Sequence, residues 1–212
     1  MKRILLENKY ILLMLGISAA YIVVLQHVFG IVPSLVETIA VIFGIIQLDL
    51  FRRQKPAGFV FNILYSGFLI FWFASIMLYG QVAMRAIFVV INLFGLYFWL
   101  KPQIGKTKEL KPSWLSYKVK IPAYIAIIAF GAVVWKAESL KISADWMYAL
   151  AAVIGQIFIS KKKIDSWVLW LCNDVLIGLP LFFLSGSWMY LMMTVFMIFG
   201  EVGSILSWRR QK

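Results

Sequence analysis

The stretch Lys101-Pro102-Gln103-Ile104-Gly105-Lys106-Thr107-Lys108-Glu109-Leu110-Lys111-Pro112-Ser113-Trp114-Leu115-Ser116-Tyr117-Lys118-Val119-Lys120 is the one long polar loop in an otherwise apolar chain. It holds six lysines. Outward from it, cations recur in every second gap between apolar runs. Arg52, Arg53 and Lys55 precede it, and Lys161, Lys162 and Lys163 follow it. Lys2, Arg3 and Lys9 open the chain, and Arg209, Arg210 and Lys212 close it. These positions take 18 of the 21 Lys and Arg residues. The alternate gaps hold only Lys136 and Lys141, and Arg85 alone falls inside an apolar run. Basic loops stay on the cytoplasmic side of a membrane, so the alternation predicts a topology with both termini cytoplasmic. The net charge of +12 is spread over loops and forms no single basic face, which argues against a nucleic-acid partner.

Composition agrees. Of 212 residues, 63% are hydrophobic, and the mean hydropathy is +0.89. A soluble domain is about 45–50% apolar. An all-α protein integral to the cell membrane, in contact with the lipid bilayer, is therefore expected. The single cysteine, Cys172, excludes a disulfide framework, and the single histidine, His27, excludes a histidine metal cluster. No G-x-x-x-x-G-K-[ST], H-E-x-x-H or G-x-S-x-G motif occurs, so no ATP site, zinc protease or nucleophile elbow is expected. No cofactor or metal is predicted.

A spanning helix takes about 20 mostly apolar residues. Eight segments qualify: 10–29, 34–51, 57–78, 82–100, 121–136, 145–160, 167–184 and 188–207, the fifth and sixth being short. Pro33, Pro56, Pro102, Pro112 and Pro122 fall in gaps or at segment starts, while Pro180 lies inside the seventh and should kink it. The first segment is read as a span rather than a cleaved signal, because its run is long for a signal core and no clean A-x-A follows.

The central loop invites a search for a repeat on either side. Gly44 and Gly155 each precede an asparagine by 18 positions, Asn62 and Asn173, across a basic gap. Asn92 and Trp99 are seven apart, as are Glu201 and Trp208. The expected organisation is an extra N-terminal helix in 1–30, a three-helix repeat in 34–100, a basic loop and linker helix in 101–144, and a second repeat in 145–208. An odd number of spans between the repeats makes them parallel, a known transporter plan with its site at the midplane.

Ionisable residues within a membrane cost about 2.5–3.5 kcal/mol on insertion scales and so mark functional candidates. Here they are Arg85, Asp174 and Glu201, with Glu37 and Asp49 nearer helix ends and read as structural. Helical spacing aligns Arg85 with Asn92 and Trp99, Trp167 with Trp170 and Asp174, and Asn62 with Tyr65, Ser66 and Phe73. Tyr190, Thr194, Met197, Glu201, Ser204 and Trp208 make a fourth stripe. Four such faces would enclose a pocket for a planar ring on a polar body. Other roles remain open. Trp99, Trp114, Trp146, Trp188 and Trp208 also suit an interfacial belt. Asn62 and Asn173 suit interhelical glue as well as ligand binding. Arg85 and Asp174 suit an ion pair, made directly or through the substrate.

Two stretches resemble the PnuC family of vitamin transporters, relatives of the SWEET sugar transporters. Ile91-Asn92-Leu93-Phe94-Gly95-Leu96-Tyr97-Phe98-Trp99 is similar to the family's N-x-x-G-W-Y-x-W segment. Asp165-Ser166-Trp167-Val168-Leu169-Trp170 is similar to the start of its W-x-x-W-x-x-x-N helix. The resemblance covers about 34–208 and implies a 3+1+3 helix order. It implies facilitated diffusion of nicotinamide riboside or a related vitamin, trapped inside by phosphorylation, with Trp167 and Trp170 stacking the ring. Departures fall on the pocket faces. Asp174 stands for the family's asparagine with Asn173 just before it, Arg85 stands for a glutamine, and Leu96 stands for a tryptophan. Thiamine, riboflavin or a deoxyribonucleoside are alternative cargoes, and a homo-oligomer is compatible with the chain. A substrate-binding subunit of an ATP-driven importer is the competing class, although the chain has no A-x-x-x-A docking face. An intramembrane enzyme is not expected, because no nucleophile–base pair is present.

Overall fold

The computed structural model describes residues 2–101, 110–134 and 140–210, with side chains from residue 11 onward. Lys106 and Lys108 of the central loop, and Lys136, lie outside the described residues. The described residues form eight helices: α1 (Lys2–Phe29), α2 (Leu35–Arg52), α3 (Ala57–Ser75), α4 (Tyr79–Leu100), α5 (Tyr117–Val134), α6 (Leu140–Ser160), α7 (Asp165–Leu184) and α8 (Trp188–Arg210). No strand occurs among the described residues.

All but α2 are long and apolar enough to cross a membrane. The exception departs from the expected eight even spans for a simple reason. Within 18 residues α2 carries Glu37, Asp49 and Arg52, all in its end turns. Each charge has local work. Ser34 Oγ accepts from the Glu37 N–H at 3.1 Å, and the Ser34 N–H donates to Glu37 Oε2 at 3.0 Å, a capping box that starts the helix. Asp49 pairs with Arg52 and Arg53, both at 2.6 Å, where the helix ends. The short fifth and sixth segments begin earlier than expected, at Tyr117 and Leu140, so Pro122 lies inside α5 rather than at its start.

Six helices close a ring. α2 packs on α3, α3 on α4, α4 on α6, α6 on α7, α7 on α8, and α8 returns to α2. α1 lies outside against α2 and α8, and α5 lies outside against α6.

The turns at the ends of α2, α3, α6 and α7 share one geometry. Gln54, Met77, Lys162 and Gly186 have φ of 56°, 59°, 51° and 68°. The N–H after each donates to the carbonyl five residues back: Lys55 to Leu50, Leu78 to Phe73, Lys163 to Phe158, and Ser187 to Phe182. This left-handed close satisfies carbonyls that a helix end would leave open. Gln54 and Lys162 are 108 positions apart, while Met77 and Gly186 are 109 apart. The pairs Asn92/Glu201 and Trp99/Trp208 share the second spacing. Gly44/Gly155 and Asn62/Asn173, at 111, do not fit either. The change from 108 to 109 falls within α7. There Asp174–Gly178 forms a π-turn, closed by the Leu179 N–H donating to the Asp174 carbonyl five residues back. Pro180 follows at once, and its missing N–H falls where the regular ladder is already interrupted.

A strap crosses the turn between α6 and α7. The Ser113 N–H donates to the Lys162 carbonyl at 3.2 Å, and Ile164 N–H donates to the Ser113 carbonyl at 3.0 Å. Asp165, fully buried, accepts from the Leu115 N–H at 2.6 Å and pairs with Lys120 at 2.6 Å.

Candidate functional site

All six ring helices contribute to a narrow cavity of about 30 Å³, room for a water molecule in this closed arrangement. Gln47 comes from α2, Asn62 from α3, Arg85 and Phe88 from α4, and Gln156 from α6. Trp167 and Trp170 come from α7, and Met197 and Glu201 from α8. Aromatic clusters stand on either side. Toward the basic end, Phe59 meets Trp99 edge-on at 5.0 Å, and Trp167 meets Trp208 at 5.4 Å. Trp99 and Trp208 face each other at 6.1 Å. Toward the opposite end, Phe73 stacks on Phe182 at 6.2 Å, and Tyr190 packs edge-on against both, at 5.0 and 4.3 Å.

Glycine lets the rings seat. A Cβ on Gly155 would come within 2.9 Å of Trp170 Nε1, so the indole lies against bare α6 backbone. Gly95 does the same for Phe59.

Of the residues predicted for the site, Asn62, Arg85, Trp167, Trp170 and Glu201 line the cavity. Four others do not. Asn92 accepts from Gln156 Nε2 at 2.6 Å and so fixes a lining residue from behind. Asn173 donates to the Tyr148 carbonyl at 3.1 Å, an interhelical bond between α7 and α6. Asp174 accepts from the Tyr148 hydroxyl at 2.6 Å and lies against Glu201. Trp99 belongs to the basic-end cluster and donates to the Ser160 carbonyl at 3.0 Å. Trp208 donates to the Phe51 and Arg52 carbonyls, both at 3.3 Å. With 3% and 0% exposure, neither Trp99 nor Trp208 is a belt residue.

Of the two forms of pairing expected between Arg85 and Asp174, direct or through the substrate, the direct one is not formed. Among the described residues Arg85 makes no ion pair. Its Nη2 donates to the Tyr190 hydroxyl, and its guanidinium lies 4.6 Å from the Tyr65 ring centre and 5.4 Å from that of Phe88. The reason is local: Tyr148 and Glu201 already occupy Asp174, and three aromatic rings surround the guanidinium.

Sequence reasoning missed Gln47, Phe88 and Gln156. A signal existed. Ala40, Gly44, Gln47 and Phe51 form one helical stripe, and Ala149, Ala152 and Gln156 another; all seven residues are buried. The search followed charge, and glutamine carries none.

Several buried polar atoms of the lining residues have no hydrogen-bond partner: Gln47 Oε1, Arg85 Nε, Trp167 Nε1 and Trp170 Nε1. Buried polar groups are rarely left so. Their concentration around one cavity is what a site for a polar ligand requires. Among the described residues no group of three His, Cys, Asp or Glu is placed to hold a metal ion.

Comparison with known proteins places these features. A family model described as nicotinamide mononucleotide transporter matches residues 34–210. The nicotinamide riboside transporters PnuC of Escherichia coli (strain K12) and Shigella flexneri are each 19% identical over 182 residues, spanning 72% of this chain and 76% of theirs. The crystal structure of the vitamin B3 transporter PnuC superposes with a TM-score of 0.76 at 17% identity, covering 98% of this chain and 93% of that one. Coverage that complete takes in α1, which precedes the matched family region.

Proposed function

Because this chain belongs to the nicotinamide mononucleotide transporter family, we propose that it carries a vitamin or nucleoside built like nicotinamide riboside, a planar ring on a sugar, by facilitated diffusion with alternating access. The family is one of membrane transporters, and the chain is a multi-pass helical membrane protein of that class. The observation that carries the substrate reading is the cavity inside the six-helix ring, where unpartnered polar atoms meet two indoles between two aromatic clusters. Trp170 offers the substrate ring a face, held edge-on by Phe88 at 5.9 Å. Asn62, Gln47 and Gln156 offer hydrogen bonds to the polar body. Asn92, Asn173, Asp174 and Trp99 position these groups from behind.

In this reading 34–100 and 145–208 are parallel three-helix repeats, 101–144 links them, and 1–30 adds a helix outside the ring. The matched turns and the ring order α2-α3-α4-α6-α7-α8 support it. α2 counts as an eighth span because its charges sit at its ends. The basic residues give cytoplasmic termini in the cell membrane.

Purified protein in liposomes should equilibrate nicotinamide riboside or a nucleoside without concentrating it. Concentrative uptake under an imposed proton or sodium gradient would reject facilitated diffusion. For orientation, single cysteines placed in a Cys172→Ser background should label from outside at 186 and not at 162. The reverse pattern would invert the topology.

A further inference from the structure

Arg85 poses a problem that the family resemblance does not solve. Its side chain is 2% exposed, lines the cavity, and has a hydroxyl and ring faces for company but no carboxylate. Its Nε has no partner. A buried guanidinium left in that condition is costly, so an acceptor is expected to arrive with the ligand.

The charge of that acceptor follows from the other ionisable groups. Asp174 and Glu201 lie within hydrogen-bonding reach of each other, and neither Asp174 Oδ2 nor Glu201 Oε2 has an N–H or O–H donor. Two buried carboxyls so placed cannot both be ionised. The pair therefore carries at most one negative charge against the positive charge of Arg85. The described wall has no net negative charge to offer, and a ligand cation would enter without a counter-charge where charge separation is costly.

We propose that Arg85 sets the substrate class of this site: a planar ring that carries no positive charge and bears an oxo group, as in an oxo-purine or oxo-pyrimidine nucleoside or a flavin, with the oxo oxygen accepting from Arg85 Nε. The proposal rests on the cavity being the transport site, and narrows what enters it. A ring that is itself cationic, such as a pyridinium or thiazolium, is disfavoured, because the guanidinium lies against Phe88, which packs on Trp170.

The test is binding and liposome uptake with five probes: uridine, inosine and riboflavin, which are uncharged and carry oxo groups, and nicotinamide riboside and thiamine, which carry cationic rings. Wild type should bind at least one uncharged probe about tenfold or more tightly than either cation. Arg85→Gln should lose about tenfold for the uncharged probe and gain for the cations, so that the ratio inverts. If Arg85→Gln does not fold, the wild-type ratio decides alone. Tighter binding of nicotinamide riboside or thiamine by wild type overturns the Arg85 assignment and leaves the transport reading intact. Equal weakening of all probes by Arg85→Gln overturns it too. Binding of an uncharged probe without uptake would instead reject the transport reading and support the assignment. Binding of none of the five overturns both.

Discussion

α3 and α7 occupy equivalent places in the ring, yet one is a regular helix and the other is not. Each runs between turns of the same left-handed geometry. Each sets an aromatic residue, Phe59 or Trp167, edge-on against a tryptophan of the next helix, Trp99 or Trp208. Each ends with a phenylalanine, Phe73 or Phe182, and these two stack on one another. From end to end α3 spans 19 residues and α7 spans 20. The additional residue is absorbed by the π-turn at Asp174–Gly178. Single π-turns inside helices occur often at functional sites. Here the turn places Asp174 against Tyr148 and Glu201, and nothing equivalent exists on α3, where Ser66 bonds only to Asn62 at 3.2 Å. The additional residue and the acid thus fall at the same point of α7.

The sharpest way to break that comparison is to delete Val175, which is exposed and lies within the π-turn. α7 would regain the length of α3, but Asp174 and Phe182 could no longer both keep their partners. Loss of measurable uptake is expected, along with a fall in melting temperature. Uptake at the wild-type rate would show that the turn is incidental. Next in size is Trp170→Ala against Asn62→Ala, the residues at matching depth on the two helices. The indole should cost about tenfold or more in substrate affinity, and the amide only a few-fold, as read by titration calorimetry. Equal losses would remove the distinction between a stacking helix and a hydrogen-bonding one. Third, Asp174→Asn and Glu201→Gln should be non-additive by about 1 kcal/mol or more in a double-mutant cycle on thermal stability, since the pair shares contacts. The smallest effect is the most symmetric. Trp99→Phe and Trp208→Phe each remove an indole donor from a carbonyl across a helix pair, and each should cost about 1 kcal/mol. A large inequality between them would mean that the two seams are not equivalent.

Much of this was legible in the sequence, and the part that was not has a physical reason. The stripes on α3, α4, α7 and α8 follow from helical spacing, and every residue assigned to them is buried. Local periodicity suffices there because each stripe spans only a few turns. The π-turn is invisible to the same logic: one additional residue shifts the later stripe by less than the width of a face. The matched turns were hidden for a different reason. Left-handed positions usually announce themselves as glycine, but here Gln54, Met77 and Lys162 take them, and only Gly186 conforms. A repeat search by residue identity consequently settled on Gly44/Gly155 and Asn62/Asn173, whose spacing the fold does not keep.

The strap from Ser113 to Lys120 bears on how the two halves could move. It fastens the α6–α7 corner and the first residue of α7 through two backbone bonds, a buried carboxylate and a lysine. At the α2–α3 corner Asp49 pairs with Arg52 and Arg53, and Trp208 donates to the Phe51 and Arg52 carbonyls. Any motion that parts the basic ends must therefore carry the Ser113–Lys120 segment along with α6 and α7, and must either break or follow the grip of Trp208 on the last turn of α2.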